Sequence, residues 1–351
     1  MAASIPGGMA NKTSDKSKEK RMKLAKRLSQ IALLALVGIA LCAEARAQAI
    51  AYDKTEFITN KLSENVYTLT GSPGVDPGHP EGAGGRIGLL VGPDGVLMVD
   101  ASYAPLADKV LAAIRKISPS PIRFLVDTHE HPDHTGGNPY FAKMGAVIFA
   151  REQVRNDLRK GFPPAVAALI GNGASGTDPA RLPTVTYGLG SSVKIYLDGE
   201  TVDLIPVVAS HTNGDTMVRF EKANVIMIGD FYRNYGYPFI DPAHGGTFKG
   251  VVAALDMLTN LAGPDTKLIP GHGTPITKAD IAPYRQMIVE VQAKVQQMID
   301  DGKPLKEVLA AKITAPYDAK VPGGTAPLPA GLGTSADRFV GSMYAELKAA
   351  H

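Results

Sequence analysis

Cysteine is almost absent from this chain of 351 residues, and the single one, Cys42, lies near the N-terminus. Residues 48–351 contain no cysteine. They therefore form no disulfide with one another and offer no thiolate to a metal ion. Any metal bound there depends on histidine and carboxylate side chains.

Long hydrophobic runs are also lacking. The longest obvious one, at 31–43, has 13 residues, whereas a membrane-spanning helix needs about 20. A basic stretch ending at Lys26-Arg27 precedes it, and small residues alternate up to Ala47. This order is typical of a secretory signal peptide. We predict a signal over 1–47, cleaved after Ala47, and a periplasmic or secreted domain over 48–351 without stable membrane insertion. An uncleaved membrane anchor is the alternative.

The chain has no excess of basic charge when this N-terminal segment is left out of the count. The formal net charge is +3. Residues 1–47 contain nine Lys/Arg and three acids, which leaves 28 basic and 31 acidic residues in the remainder. A mildly acidic body has no electrostatic footprint for nucleic acid. We therefore expect a small-molecule substrate.

The order of the predicted elements indicates an α/β fold. Strands and then alternating strands and helices occur in the first half, and the second half repeats this arrangement. Two sheets covered on the outside by helices fit such an order, and the chain ends in a helical extension. Strands are predicted within 54–70 and at 87–91, 96–100, 122–126, 146–150, 193–197, 202–208, 216–220, 225–228 and 267–269. Helices are predicted at 105–117, 140–144, 152–160, 250–261, 278–300 and 338–349, and loops at 71–85, 161–183 and 316–333.

The densest group of metal-ligand side chains follows the predicted strand 122–126. His129, His131 and His134 fall within six residues, together with Asp133. Four potential ligands on one short loop cannot all face a single ion at tetrahedral angles, whereas two adjacent ions use them naturally. We expect Gly136-Gly137 to let the backbone turn tightly behind these ligands.

Three further ligand-type side chains occur in a similar setting. His211 and His272 each follow an apolar strand and lie near glycine, and Asp230 follows Gly229 at the end of another strand. Functional side chains are often placed at such strand ends, because the sheet holds them rigidly. These residues and the histidine cluster are predicted to meet at one site.

These motifs together resemble the metallo-β-lactamase superfamily over about residues 60–300. The resemblance implies a four-layer αβ/βα sandwich. It implies that one ion is held by His129, His131 and His211, a second ion by Asp133, His134 and His272, and that Asp230 bridges the two. Asp100, which ends the strand 96–100, is implied to orient the histidine loop through hydrogen bonds. The alternative for Asp100 is an ordinary turn residue.

The implied chemistry is hydrolysis by a hydroxide that bridges two metal ions. Metal ions lower the pKa of bound water to about 7, and imidazole with carboxylate suits Zn²⁺, with Mn²⁺ or Fe²⁺ as alternatives. Asp133 is expected also to take a proton as the bond breaks. Well-known β-lactamases tend to have Cys or Ser where this chain has Asp230, so a lactone or thioester is as good a substrate as a β-lactam. A redox or metal-binding protein without hydrolytic turnover is the rival hypothesis.

Substrate contacts are expected from the aromatic segment that follows Asp230. Its polar and aromatic side chains suit a carboxylate or an apolar pocket, although a packed surface loop explains the same composition. The candidates are Arg233, Asn234, Tyr235 and Tyr237.

Overall fold

The computed structural model describes residues 52–71, 84–161, 178–328 and 333–350. The predicted signal peptide lies outside them. Within these ranges the chain forms a seven-stranded and a five-stranded sheet. The first sheet contains β1 Phe57–Lys61, β2 Val66–Gly71, β3 Ile87–Gly92, β4 Gly95–Val99, β5 Ile122–Val126, β6 Val147–Arg151 and β7 Val185–Tyr187; the second contains β8 Val193–Leu197, β9 Glu200–Pro206, β10 Thr216–Phe220, β11 Val225–Gly229 and β12 Lys267–Pro270.

The first sheet changes from antiparallel to parallel pairing along its width. Its strands lie in chain order; pairing is antiparallel from β1 to β4 and parallel from β4 to β7. Parallel neighbours need crossover connections, which are usually helical. The second sheet has the order β12-β11-β10-β9-β8, with only β11 and β12 parallel.

Eight α-helices occur among the described residues. They are α1 Ala107–Arg115, α2 Pro132–Thr135, α3 Asn138–Lys143, α4 Glu152–Lys160, α5 Phe248–Leu261, α6 Ile281–Asp300, α7 Leu305–Ala310 and α8 Ser335–Ala349. The short α2, α7 and β7 were not expected from the sequence. The predicted helix at 278–300 begins with a separate 3-10 turn, Lys278–Asp280.

Three apolar clusters define the layers. One contains residues of both sheets, such as Val126 and Leu204, and fills the space between them. A second lies between the first sheet and α1 with α3, and a third between the second sheet and α5, α6 and α8. Helices therefore cover both outer faces, which confirms the predicted four-layer αβ/βα sandwich. No helix among the described residues is long and apolar enough to cross a membrane.

Gly136 and Gly137 serve close packing and not a tight turn. Both have negative φ values typical of helical backbone. A Cβ on Gly136 would lie 2.6 Å from the backbone nitrogen of Ala104, and one on Gly137 would lie 2.5 Å from the carbonyl oxygen of Ala101. The absence of side chains lets the histidine loop press against the segment after β4, which corrects the expected reason for this pair.

Candidate metal centre

One group of histidines forms where β5 and β9 end. His129 and His131 follow β5, and His211 lies in the loop after β9. The Nδ1 atom of His131 is 3.1 Å from Nε2 of His129 and 3.0 Å from Nε2 of His211. Zinc with ligands at 2.0–2.1 Å separates neighbouring ligand atoms by about 3.3 Å. Three nitrogens already converge at nearly this spacing.

The other ring nitrogen of each of these histidines lies within hydrogen-bond distance of an oxygen atom. Nδ1 of His211 is 2.8 Å from the carbonyl oxygen of Phe239, and Nε2 of His131 is 2.9 Å from the Asp241 carboxylate. Nδ1 of His129 lies 3.1 Å from the Thr128 hydroxyl. When the ring nitrogen that faces away from the centre donates its N–H, the nitrogen that faces the centre keeps a lone pair that can bind a metal ion. The rings are thus oriented as metal ligands.

A second group adjoins the first. Nε2 of His272, in the loop after β12, is 3.1 Å from Oδ2 of Asp133. Nε2 of His134 is 3.6 Å from the same oxygen. Ligand atoms of these three side chains lie within 4.8 Å of one another, as do those of the first group. The two sets match the ligand sets that the resemblance implies.

Asp230 lies between the two groups. Its Oδ2 is 3.2 Å from Nε2 of His272 and 3.9 Å from Nε2 of His211. Its Oδ1 and the Nε2 of His134 are both buried without a hydrogen-bond partner, 3.6 Å apart. Buried polar atoms are nearly always satisfied. These two orphaned atoms fit a bound cation, and the donor set of imidazole and carboxylate fits a divalent metal.

Asp100 contacts both the histidine loop and one ring of the second group. Its Oδ1 accepts the backbone N–H of Thr128 at 2.8 Å, and its Oδ2 lies 2.9 Å from the Thr128 hydroxyl and 2.8 Å from Nδ1 of His134. The residue is 1% exposed and has a φ of 63°. It holds the start of the histidine loop and one ring of the second group together.

The electrostatics of the two groups differ. Burial lowers the pKa of His129 well below its ordinary value and that of His211 to about 3, so both rings are neutral. Burial also opposes the protonation of His134, but the carboxylates of Asp230, Asp133 and Asp100 outweigh it and raise its pKa well above the usual value. The second group therefore carries the negative charge that a metal ion would compensate.

Two glycines make room for the second group. A Cβ on Gly85 would lie 2.2 Å from Cε1 of His134. A Cβ on Gly271 would lie 2.1 Å from Oδ1 of Asp230 and 2.9 Å from the His134 ring. Side chains at either position would occupy space that the ligands need.

The four residues that were expected to contact substrate lie in different environments. Asn234 binds Thr274 beside the His272 loop, at 2.8 Å. Arg233 and Asn234 line a cavity of about 380 Å³, and Tyr235 packs near Gly323. Tyr237 is fully buried, and its hydroxyl donates to Asp318 at 2.5 Å. Its ring packs on α8, so the expected substrate contact of Tyr237 is corrected to a structural role.

Sequence reasoning assigned no role at the metal centre to Asp241 or His244. The Asp241 carboxylate contacts His131 at 2.9 Å and Nδ1 of His244 at 2.7 Å. Its backbone N–H also donates to the carbonyl oxygen of His211. Asp241 thereby connects two ligands of the first group. No spacing in the sequence relates it to His131, which lies 110 residues earlier.

Comparisons with known proteins identify the family of this chain. The model of the metallo-beta-lactamase superfamily matches residues 81–272. A linear primary-alkylsulfatase of a Pseudomonas strain is 38% identical over 77 residues, which cover 20% of this chain and 15% of that protein. The alpha subunit of a 2,4-dinitroanisole O-demethylase of a Nocardioides strain is 26% identical over 143 residues, or 40% of this chain and 39% of the relative. The matches thus span well under half the length of either relative.

Solved structures support the same fold. A metallo-beta-lactamase from Pontibacter korlensis superposes with a TM-score of 0.52 at 17% identity, covering 66% of this chain and 99% of its own. At this identity the likeness establishes the fold alone. The family match spans more than half of the chain, and the superfamily consists mostly of metal-dependent hydrolases. With its two sheets, its outer helices and its clustered His and Asp side chains, this chain belongs to the metallo-beta-lactamase superfamily.

Proposed function

We propose that this chain is a secreted hydrolase that binds two zinc ions and cleaves a carbonyl compound such as a β-lactam, a lactone or a thioester. The observation that carries the proposal is the orientation of the histidines. His131, His134 and His211 each direct one ring nitrogen to an oxygen atom and the other to the centre. Such outer contacts fix metal ligands in their binding tautomer.

The residues divide into two ligand sets and one shared carboxylate. His129, His131 and His211 would hold one ion, Asp133, His134 and His272 the other, and Asp230 both. When bound, two divalent ions lower the pKa of water and polarise the oxygen of a substrate. The paired histidine and carboxylate sets suit this chemistry without any thiolate.

Asp133 is the carboxylate that we assign to proton transfer. Its side chain is 16% exposed, against 6% for Asp230, so water and substrate reach it more readily. Hydrolysis adds the hydroxyl of one water to the carbonyl carbon, breaks the bond to the leaving group and transfers the remaining proton to that group. Asp133 would hold this proton between the two events.

Metal analysis combined with turnover measurements tests the proposal. We expect two equivalents of zinc and hydrolysis of at least one among nitrocefin, a lactone and a glutathione thioester. An alkyl sulfate belongs in the panel, because one relative is named as an alkylsulfatase. Two equivalents of metal without any turnover would favour the rival hypothesis of a redox or metal-binding protein. Manganese or iron in place of zinc would change only the proposed identity of the metal.

A matched pair of variants tests the site. Asp230→Asn is expected to lose metal and activity, because the amide offers one acceptor where two carboxylate oxygens face His134 and His272. Asp256→Asn makes the same change at an exposed position paired with Arg285 and is expected to retain both. Full metal content and activity in Asp230→Asn would refute the assignment. Secretion is tested separately by the N-terminus of the mature protein, expected at Gln48.

A further inference from the structure

His272 differs from the other four histidines of the metal centre in what holds its ring. Each of the other four has one ring nitrogen within hydrogen-bond distance of an oxygen atom outside the two ligand groups; they are His129, His131, His134 and His211. The described residues offer no such oxygen to Nδ1 of His272, whose Nε2 faces Asp133 and Asp230. Such outer contacts normally fix a metal-binding ring. His272 therefore depends for its position on the backbone of the loop after β12.

The side chain of Arg86 holds that backbone on both sides of His272. Its Nη1 donates to the carbonyl oxygen of Pro270 and its Nη2 to that of Gly273, each at 2.6 Å. The backbone N–H of Arg86 donates to the carbonyl oxygen of Gly271 at 2.9 Å. One residue therefore binds the carbonyl oxygens of both neighbours of His272 and that of the residue at the end of β12.

The two residues before Arg86 border the other ligands of the same group. The backbone N–H of Gly85 donates to the carbonyl oxygen of Asp133 at 3.2 Å, and a Cβ on Gly85 would lie 2.2 Å from the His134 ring. A Cβ on Gly84 would lie 2.5 Å from Cβ of Asp133. This short segment thus contacts two ligands of the second group directly and the loop of the third through Arg86.

Arg86 is both buried and charged, which a residue that only fills space need not be. It is 5% exposed, and although burial lowers its pKa to about 10, the guanidinium stays protonated at neutral pH. Its side-chain hydrogen bonds all go to neutral oxygens, those of Pro270, Gly273 and Thr70. Burying a charge is costly unless hydrogen bonds satisfy it, and a planar guanidinium holds two acceptors at a fixed spacing. Here those two acceptors are the carbonyl oxygens on either side of His272.

We propose that Arg86 is a positioning residue that sets His272, and through it the second metal ion, by clamping the backbone on both sides of this ligand. The inference rests on the proposed metal centre, but its test needs no turnover. Arg86 forms no hydrogen bond with a residue of the first group; its side-chain bonds go to β2 and to the loop after β12. The second ion should therefore depend on Arg86 and the first ion much less.

The test is a double-mutant cycle on zinc affinity, measured by competition with a chromophoric chelator. His272→Ala identifies the binding step that belongs to the second group. We expect Arg86→Met to weaken this step by about 10–100-fold, the usual loss for a residue that orients a ligand, and the other step to change by less than about threefold. In the His272→Ala background the same substitution should weaken the second step by less than about threefold more, because residues that act through one another are not additive.

Arg151→Met is the matched control. Arg151 is also a buried arginine that donates to a backbone carbonyl, that of Val207, at 2.6 Å. It is expected to leave the second step unchanged. Circular dichroism of the metal-free proteins checks their folding. If Arg86→Met does not fold, Arg86→Lys, which keeps the charge without the planar fork, is measured with the same expectation.

Three results would overturn the proposal. Arg86→Met retains the wild-type second step; its loss is equally large in the His272→Ala background, which would mean that Arg86 supports the fold and not this ligand; or Arg151→Met weakens the second step as much. A wild type that binds fewer than two ions would refute this proposal together with the metal centre. Two bound ions without hydrolysis of any substrate in the panel would refute the hydrolase and leave the role of Arg86 standing.

Discussion

Replacing Asp100 by asparagine should weaken the binding of one of the two proposed metal ions without unfolding the protein. The carboxylate accepts three hydrogen bonds, two from Thr128 and one from Nδ1 of His134. Asparagine has almost the same shape and tolerates the left-handed φ of 63° at this position. The variant therefore changes the hydrogen bonding and leaves the backbone in place.

The amide has two possible orientations, and each carries a cost. If its NH₂ faces His134, then Nδ1 of that ring must accept, the proton moves to Nε2, and Nε2 can no longer bind metal. If its oxygen faces His134, the NH₂ instead meets the backbone N–H of Thr128. A buried unsatisfied donor costs about 1–3 kcal/mol. This corresponds to a loss of metal affinity of about 5–150-fold, a range that includes the 10–100-fold usual for such outer contacts.

Competition with a chromophoric chelator measures both binding steps. We expect the ion at Asp133, His134 and His272 to bind about 10–100-fold more weakly in Asp100→Asn, and the ion at the other group to be affected less, because the change reaches His129 only through the Thr128 hydroxyl. Asp203→Asn is the matched control, because Asp203 is a buried carboxylate paired with Arg219 in the sheet. Two wild-type affinities in Asp100→Asn would show that this carboxylate does not set the tautomer of His134.

Two further predictions concern the second ligand group. Gly271→Ala should lower metal affinity while the protein stays folded, because the new Cβ would lie 2.1 Å from Oδ1 of Asp230. Metal analysis measures the affinity and circular dichroism checks the fold. An unchanged affinity would contradict the close approach of Gly271 to Asp230. In the metal-free protein the carboxylates raise the pKa of His134 and His272, so both rings retain protons near neutral pH more readily than free histidine. Metal binding should therefore release protons, and the affinity should rise with pH by up to tenfold per unit for each proton released. An indicator dye in weak buffer measures the release, and metal uptake without it at pH 7 would refute the reasoning.

The residues that gather at the candidate metal centre were predictable because their signals are local in sequence. His129, His131 and His134 share one loop, and a strand of four apolar residues and one exposed arginine, Arg123, precedes it. The strands 122–126, 193–197 and 216–220 have the predicted bounds. Short runs of alternating or apolar residues define such strands well.

The groups that orient the ligands were largely not predictable. The partner of His211 is the backbone carbonyl of Phe239, and every residue has such a carbonyl. The partner of His131 lies 110 residues away. Contacts of this kind arise from the packing of loops, for which the sequence contains no periodic signal. Asp100 was the exception, since it ends a recognisable strand.

The aromatic segment that follows Asp230 shows a second limit of prediction from sequence. Its composition is equally suited to a substrate pocket and to the core. The structure divides it between them, with Arg233 lining the cavity and Tyr237 buried against α8. Which residues face which side is decided by a helix about 100 residues further along the chain, so local sequence could not assign them.

Arg86 has a mechanical consequence for the two sheets. Its side chain donates to the carbonyl oxygens of Pro270 and Gly273 at 2.6 Å and to the Thr70 hydroxyl at 3.2 Å, and its backbone N–H donates to Gly271. It is 5% exposed, and separating the two sheets would break its two hydrogen bonds to Pro270 and Gly273, each worth about 1.5–3 kcal/mol because the donor is charged. The sandwich is therefore expected to move as one rigid body without hinge opening, and the entry and exit of substrate would depend on rearrangements of surface loops.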